Sequence, residues 1–446
     1  MFALPVPGRI AALMVTLVMT AAAPSVPQGN PLDATERTIA RTVDANNAQA
    51  LALLERLVNI NSGTMNIAGV RQVGDALRAE LDALGFKTRW VPGAAFQRAG
   101  HLVAEHAGPG PRILLIGHLD TVFEPTSPFQ KFERLTDSTA RGPGVIDMKG
   151  GDVIIVQAMK ALKAAGVLER LNVVIVYSGD EEKSGAPIDS ARHALREEGR
   201  TAHYAIGFED GSGDPHTAIV SRRSAGGWVV RSTGTPAHSS QIFRDDIGPG
   251  AIFESARILS SFRERLAGQQ YLTFNPGVAL GGTETKLDST LTDGSASGKT
   301  NVVAKSMVVS GDIRTISPEQ QEKVQAAMRE IVAQHLPHTS SEITFDDGYP
   351  PLAPTDGNRA LLAKYDSVSR DLGFGPVVAV DPMKAGAADV SFVAPFVPMA
   401  MDAAGLAGWD DHTEKETANL NWLAPKTKQA AVLIYRLGVK SQKPKA

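Results

Sequence analysis

The 446-residue chain contains no cysteine. That excludes a disulfide scaffold, a thiolate-held zinc ribbon, an iron–sulfur cluster, a thiol nucleophile and a lipid-anchoring cysteine, so any metal must be held by histidine, aspartate and glutamate. Aromatic residues are scarce at 6%, and the charges nearly cancel, 45 Lys and Arg against 48 Asp and Glu for a net −3. Without a basic stretch to neutralise a run of phosphates, the composition argues against a nucleic-acid partner. Past the first two dozen residues no apolar run is long enough to span a bilayer, which takes about 20 residues. What remains is an ordinary globular balance, 43% hydrophobic and 21% charged, with length for two or three domains of about 150 residues each.

The N-terminus carries a targeting pattern. Arg9 precedes a largely apolar stretch over residues 10–19, followed by Ala21-Ala22-Ala23 and Pro24. A basic start, a short apolar stretch and an A-x-A site are the order of a secretory signal, predicting cleavage near Ala23. The expectation is a soluble periplasmic or secreted product, free of the membrane once the signal (residues 1–23) is removed.

Residues 35–84 show helical spacing, as in Val73-Leu77-Leu81-Leu84 closed by Gly85,. Short apolar runs then alternate with helices, at 113–116, 173–177 and 205–208, with an amphipathic helix over 152–165 stopped by Gly166. Continuous apolarity points to strands buried on both faces of a mostly parallel sheet. From Ser224 the rhythm becomes β-α-β-β-α-β: strands near 228–231, 271–280, 300–313 and 342–345, and helices over 250–266 and 317–336. Ser317-Pro318-Glu319-Gln320 opens the second helix with the pattern of a capping box. This is the ferredoxin-like order, and it interrupts the α/β pattern, which resumes after Pro350. The division predicted is 24–223 and 350–446 for an α/β catalytic domain, with 224–349 as an inserted domain.

Several acidic and histidine motifs stand at the strand ends, where open α/β sheets place ligand sites. They are Gly117-His118-Leu119-Asp120-Thr121, the loop Gly142-Pro143-Gly144-Val145-Ile146-Asp147, Ser178-Gly179-Asp180-Glu181-Glu182 and Phe208-Glu209-Asp210. A further histidine, His412, lies far downstream among acids. In an extended His118-Leu119-Asp120 segment the two polar side chains share a face, so Asp120 is placed to hydrogen-bond the ring nitrogen that a metal leaves free. Read singly, each motif is equally a turn, a helix cap or a solvated loop. Together, two histidines and several carboxylates without a thiol match a hard-to-borderline dinuclear centre better than a structural zinc site.

These motifs, with Val122-Phe123, Met148-Lys149-Gly150-Gly151 and the distal histidine, resemble the M20 family of metallopeptidases. The likeness extends in order over nearly the whole chain past the signal and is greatest to the branch containing bacterial glutamate carboxypeptidase. It implies a zinc-peptidase catalytic domain with an inserted lid and dimerisation domain, and two Zn²⁺ per subunit, with Co²⁺ or Mn²⁺ accepted by the same ligands. The resemblance assigns His118, Asp147 and Glu209 to one metal and Asp147, Glu182 and His412 to the other, with Asp147 bridging and a cis peptide after it. Glu181 is implied as the general base and Asp120 as the partner of His118.

In the inserted domain, Gly234-Thr235-Pro236-Ala237-His238-Ser239 resembles the segment whose histidine reaches the partner subunit's site and stabilises the oxyanion, which implies a homodimer. Asn301 falls on the family's substrate-contacting asparagine, and Arg314 on a D-x-R arginine that binds a substrate carboxylate. One departure bears on specificity. Where glutamate carboxypeptidases carry an arginine, this chain reads Asp346-Asp347-Gly348-Tyr349-Pro350, without a guanidinium fork for an acidic side chain,. The resulting expectation is an exported, dimeric di-zinc hydrolase cleaving an amide bond beside a free carboxylate, in a small peptide. The alternatives are an N-acyl amino acid amidohydrolase and a non-catalytic binding homologue.

Overall fold

The structure, a computed structural model, describes residues 30–440, so the signal expected over residues 1–23 lies outside the described residues. Three helices come first, α1 (Ala34–Ala45), α2 (Asn47–Val58) and α3 (Ile67–Asp82). Asp33 and Glu36 cap α1 reciprocally, each side chain accepting the other's backbone N–H,. There follow β1 (Lys87–Pro92), β2 (Gly100–His106), β3 (Arg112–His118), α4 (Lys149–Ala164), β4 (Asn172–Ser178), α5 (His193–Arg200) and β5 (Tyr204–Gly207). A second group comprises β6 (Ala225–Gly234), α6 (Gly250–Leu266), β7 (Thr273–Gly282), β8 (Ser306–Arg314), α7 (Pro318–Val332) and β9 (Thr339–Tyr349). The chain then forms α8 (Asp356–Asp371), β10 (Met399–Met401) and α9 (Leu423–Gly438).

The first and last groups build one six-stranded sheet in the order β1-β2-β4-β3-β5-β10. Its four central and far strands run parallel, and β1 and β2 form an antiparallel edge. Alternate residues of β3 explain the unbroken apolar run. Ile113 and Leu115 enter the core beneath α4 and α9, while Leu114 and Ile116 enter the opposite core with Val174, Val176, Leu195 and Val393. Both faces are therefore dry, as expected for parallel strands covered on each side.

The middle group forms a separate antiparallel sheet in the order β7-β8-β6-β9, with α6 and α7 packed on one face. Trp228, Val230, Phe262, Val309, Met328 and Ile331 are among its core residues. Connectivity and strand order are those of a ferredoxin-like unit. Two details differ from the sequence pattern. A small hairpin, Glu284–Leu287 with Gly294–Ser297, occupies a stretch that reads as loop because its Gly, Ser and Thr lack apolar alternation. At the start of α7, Ser317 accepts the Gln320 N–H, but the Gln320 carboxamide returns to Ile316 N, one residue before the cap, instead of closing the box on Ser317. No helix among the described residues is long and apolar enough to cross a membrane.

Candidate metal centre

Three adjacent parallel strands deliver acidic or histidine residues from their C-terminal ends: β3 ends on His118, β4 leads into Glu181 and Glu182, and β5 leads into Glu209. Asp147 comes from the glycine-rich loop before α4, where Gly144 takes φ +72°, a conformation open to glycine without strain,. A side chain on Gly151 would meet the Phe208 carbonyl at 2.0 Å, so the glycine lets the first turn of α4 press against the strand end that carries Glu209. The Asp147–Met148 peptide is cis. His412 arrives on the turn joining the short strands Gly408–Trp409 and Thr417–Asn419, itself at φ +58°.

Asp147 stands between the two histidines. Its Oδ1 lies 3.0 Å from His118 Nε2, and its Oδ2 lies 2.8 Å from His412 Nε2. Glu209 Oε2 joins the first pair at 3.6 Å from His118 Nε2, and Glu182 Oε2 joins the second at 3.2 Å from His412 Nε2. Ligand atoms of His118, Asp147 and Glu209 all lie within 4.8 Å of one another, as do those of Asp147, Asp411 and His412. The exposed Asp411 is a donor the sequence reading did not assign.

The cluster gathers several carboxylates into a buried cleft, and burial shifts each of them. Burial, and then the charge of Asp147, pushes Glu182 up to about 8. Burial takes Glu209 up to about 7, with Asp147 and Asp402 adding to the rise. Glu181 is raised well above its ordinary range by burial and then by Glu209. The histidines respond in the opposite sense: hydrogen bonds to Asp147 and Glu182 lift His412 to about 11, and His118 is raised well above its usual value by Glu209, Asp120 and Asp147 despite complete burial. Carboxylates crowded in a buried cleft favour positive charge among them, which a divalent cation supplies. Glu182 Oε1 is buried without a hydrogen-bond partner. An all-imidazole and carboxylate donor set, a carboxylate split between two histidines and an orphaned glutamate oxygen fit a pair of divalent cations. His118, Asp147 and Glu209 would hold one, and Asp147, Glu182 and His412 the other.

Asp120 stands beside the His118 ring, its carboxylate paired with Nδ1 at 3.6 Å, and its backbone carbonyl lies 3.0 Å from the same nitrogen. The carboxylate is also engaged elsewhere, accepting from Thr64 Oγ1 at 2.7 Å, Glu181 N at 3.0 Å and Glu182 N at 3.1 Å. It therefore holds the backbone of two site residues. Other positioning groups escaped the sequence reading. Buried Glu416 accepts the backbone N–H groups of Gly144, Ile146 and Asp147 at 2.9, 2.8 and 3.1 Å. Asp402 accepts from Glu209 N at 3.3 Å and from Arg222 at 2.8 Å. Fully buried Arg192 binds Asp180 at 2.6 Å and Asp389 at 2.7 Å. Asp402 follows directly on β10, so the strand-end rule that picked out His118 would have found it; Glu416 and Arg192 offer no comparable local signal.

Residues assigned on the inserted unit lie elsewhere. The cleft over the cluster is lined by Glu181, Asp210, Arg222 and residues 386–388 among others, and His238, Asn301 and Arg314 are absent from that lining. His238 is exposed, its Nδ1 2.9 Å from Ser240 Oγ, and the adjoining Ser239 N–H donates to the Asn301 carbonyl at 2.9 Å. Those two residues form one surface. Arg314 sits apart, paired with Asp312 at 3.3 Å.

Comparison with known proteins adds the following. The model of peptidase family M20/M25/M40 matches residues 114–436. Carboxypeptidase G2 of Pseudomonas sp. (strain RS-16) is 25% identical over 388 residues, covering 86% of this chain and 88% of that protein. In fold, the chain resembles aminopeptidase PepT from Bacillus cereus, with a TM-score of 0.67 at 17% identity, covering 88% of this chain and 99% of that one. It also resembles the YXEP protein of Bacillus subtilis, a dinuclear metal binding peptidase, with a TM-score of 0.59 at 16% identity and coverage of 88% and 98%.

Proposed function

The chain belongs to peptidase family M20/M25/M40, and from that premise we propose an exported, homodimeric di-zinc hydrolase that cleaves the amide bond next to a free carboxylate in a small peptide. The observation that carries the reading is the placement of Asp147, one carboxylate oxygen toward His118 and the other toward His412, with Glu181 beside them on the cleft wall. His118, Asp147, Glu209, Glu182 and His412 would hold two divalent cations, which when bound would polarise the scissile carbonyl and acidify the attacking water. Glu181 is adjacent in sequence to Glu182 but outside both donor sets, the position of a base that takes the proton from water and returns it to the leaving amine. Asp120 and Glu416 hold the backbones of Glu181, Glu182 and Asp147 in register for that transfer.

Substrate contacts are assigned to the inserted unit, read as residues 224–349. His238 stabilises the oxyanion across the dimer, Asn301 contacts the substrate beside it, and Arg314 takes the free carboxylate. The return strand supports a preference other than glutamate. Asp347 is engaged by Gln321 and Gln325, and Tyr349 turns toward the Glu181 loop, so neither supplies a cation for an acidic side chain. Export rests on the N-terminal pattern of residues 1–23.

A substrate panel on the zinc-loaded protein tests the proposal, with dipeptides and N-acyl amino acids offered with a free or an amidated terminal carboxylate. Chelator-sensitive release of the carboxylate-bearing residue from dipeptides is expected. Turnover of N-acyl amino acids alone would move the protein to the amidohydrolases, and no turnover with zinc, cobalt or manganese would leave a binding protein.

A further inference from the structure

Tyr349 is the last residue of β9, at the point where the ferredoxin-like sheet hands the chain back to the α/β part, and its backbone pairs with Ala225 at the opposite crossing. Its side chain does not stay with its own sheet. The ring packs edge-on against Phe392 at 4.8 Å, and the hydroxyl donates to the backbone carbonyl of Glu181 at 2.9 Å. The same oxygen receives Arg192 Nη2 at 2.7 Å and lies 3.0 Å from Ser184 Oγ.

Arg192 is itself fixed. Its Nε and Nη1 donate to Asp389 and Asp180, and Nη2 also reaches the Asp180 carbonyl at 3.0 Å. The guanidinium can only donate, so the hydroxyl proton of Tyr349 is turned away from it, toward the Glu181 carbonyl at 2.9 Å and Ser184 Oγ at 3.0 Å. On the other side of the same residue, Asp120 accepts the Glu181 N–H at 3.0 Å. Glu181 is thus held at its N–H by the catalytic sheet and at its carbonyl by a side chain from the inserted unit.

We propose that Tyr349 is a positioning residue for Glu181, so that the seat of the inserted unit sets where the base stands. The proposal rests on the reading of Glu181 as the proton acceptor. A base displaced by about 1 Å loses on the order of a hundredfold in rate, so one hydroxyl at this carbonyl has leverage over turnover without touching substrate or metal.

The test compares Tyr349→Phe and Tyr349→Ala in the full-length protein, measuring kcat, KM, bound zinc, and hydrogen exchange of residues 178–186 in the metal-free state. Tyr349→Phe keeps the ring on Phe392 and removes only the hydroxyl. It is expected to lower kcat about tenfold or more, with KM and zinc content unchanged and exchange across 178–186 accelerated, and Tyr349→Ala should add little further loss of kcat. A phenylalanine variant with wild-type kcat, or one whose loss tracks lost zinc or raised KM, overturns the proposal, as does unchanged exchange in 178–186. Should the wild-type protein turn over nothing, the functional reading falls, and the exchange comparison still decides whether Tyr349 holds the Glu181 backbone.

Discussion

Glu416 accepts the backbone N–H of Asp147 at 3.1 Å from 269 positions further along the sequence, together with the N–H groups of Gly144 and Ile146. Three donors converge on one buried carboxylate, which burial and then the charge of Asp147 push up to about 8. The loop that aims Asp147 at both histidines is thus anchored from the far end of the chain.

Replacing that anchor should loosen the metals before it unfolds the protein. Glu416→Ala strands buried donors at about 1–3 kcal/mol each and is expected to weaken zinc affinity about 10- to 100-fold. Glu416→Gln, which keeps an acceptor, should lie between. Competition with a chromophoric chelator measures both, and unaltered affinity in the alanine variant would show that the loop holds its shape alone.

Glu181→Ala is expected to bind its full complement of zinc and lose about 10²- to 10⁴-fold in kcat, the usual contribution of a positioned base. Metal analysis beside steady-state kinetics separates this from a ligand defect. Near-normal turnover would remove Glu181 from the role.

Removing the metals should destabilise the fold, because Glu182 and Glu209 are then left crowded against Asp147 in a buried cleft. At zinc concentrations about 100-fold above Kd the expected gain is about 2.7 kcal/mol by mass action. Thermal unfolding with and without chelator reads it as a shift in Tm restored by added zinc.

Mixing His238→Ala subunits with Glu181→Ala subunits tests whether the exposed histidine works across an interface. Each variant alone should be nearly inactive, and hybrids should recover part of the activity, since one of their two sites has an intact base facing an intact histidine. No recovery after subunit exchange has been demonstrated by mass spectrometry would confine His238 to its own chain.

The first and last helices predict an acid-sensitive clasp. Buried Glu36 accepts from Arg436 and Lys440, each at 2.7 Å. Burial alone would raise it, but those cations hold it below its ordinary value of 4.5. A lowered folded-state pKa contributes stability that is complete above the unfolded value and is lost as pH falls through the folded one. Glu36→Gln should therefore cost more stability at pH 7 than at pH 3, as read from urea midpoints. An equal cost at both would assign the effect to packing.

How much of this was legible in sequence follows from where the information lies. His118, Glu182 and Glu209 each follow a short apolar run, and the strand-end rule needs nothing beyond a few neighbours to find them. The two-faced burial of β3 was equally local, written in Ile113 to Ile116. Glu416 was not legible: it sits in an acid-rich turn that reads as solvated surface, and only the folded chain reveals three donors above it. Tyr349 and Arg192 meet 157 residues apart. Alternation along the strand gives the face that sets the Asp120 carboxylate beside His118, but not its bonds to the Glu181 and Glu182 backbones.

The placement of β10 and His412 bears on the order in which the molecule assembles. The sheet that carries the centre stays without its sixth strand until residues 399–401 are available, and His412 comes 265 positions after the carboxylate it faces. By contrast, the ferredoxin-like unit is contiguous in sequence and has its own core, so its contacts can form early while the α/β part awaits long-range pairing. A chain synthesised only as far as residue 411 consequently carries an incomplete donor set. The donor set closes only after the whole inserted unit and the sixth strand have been made.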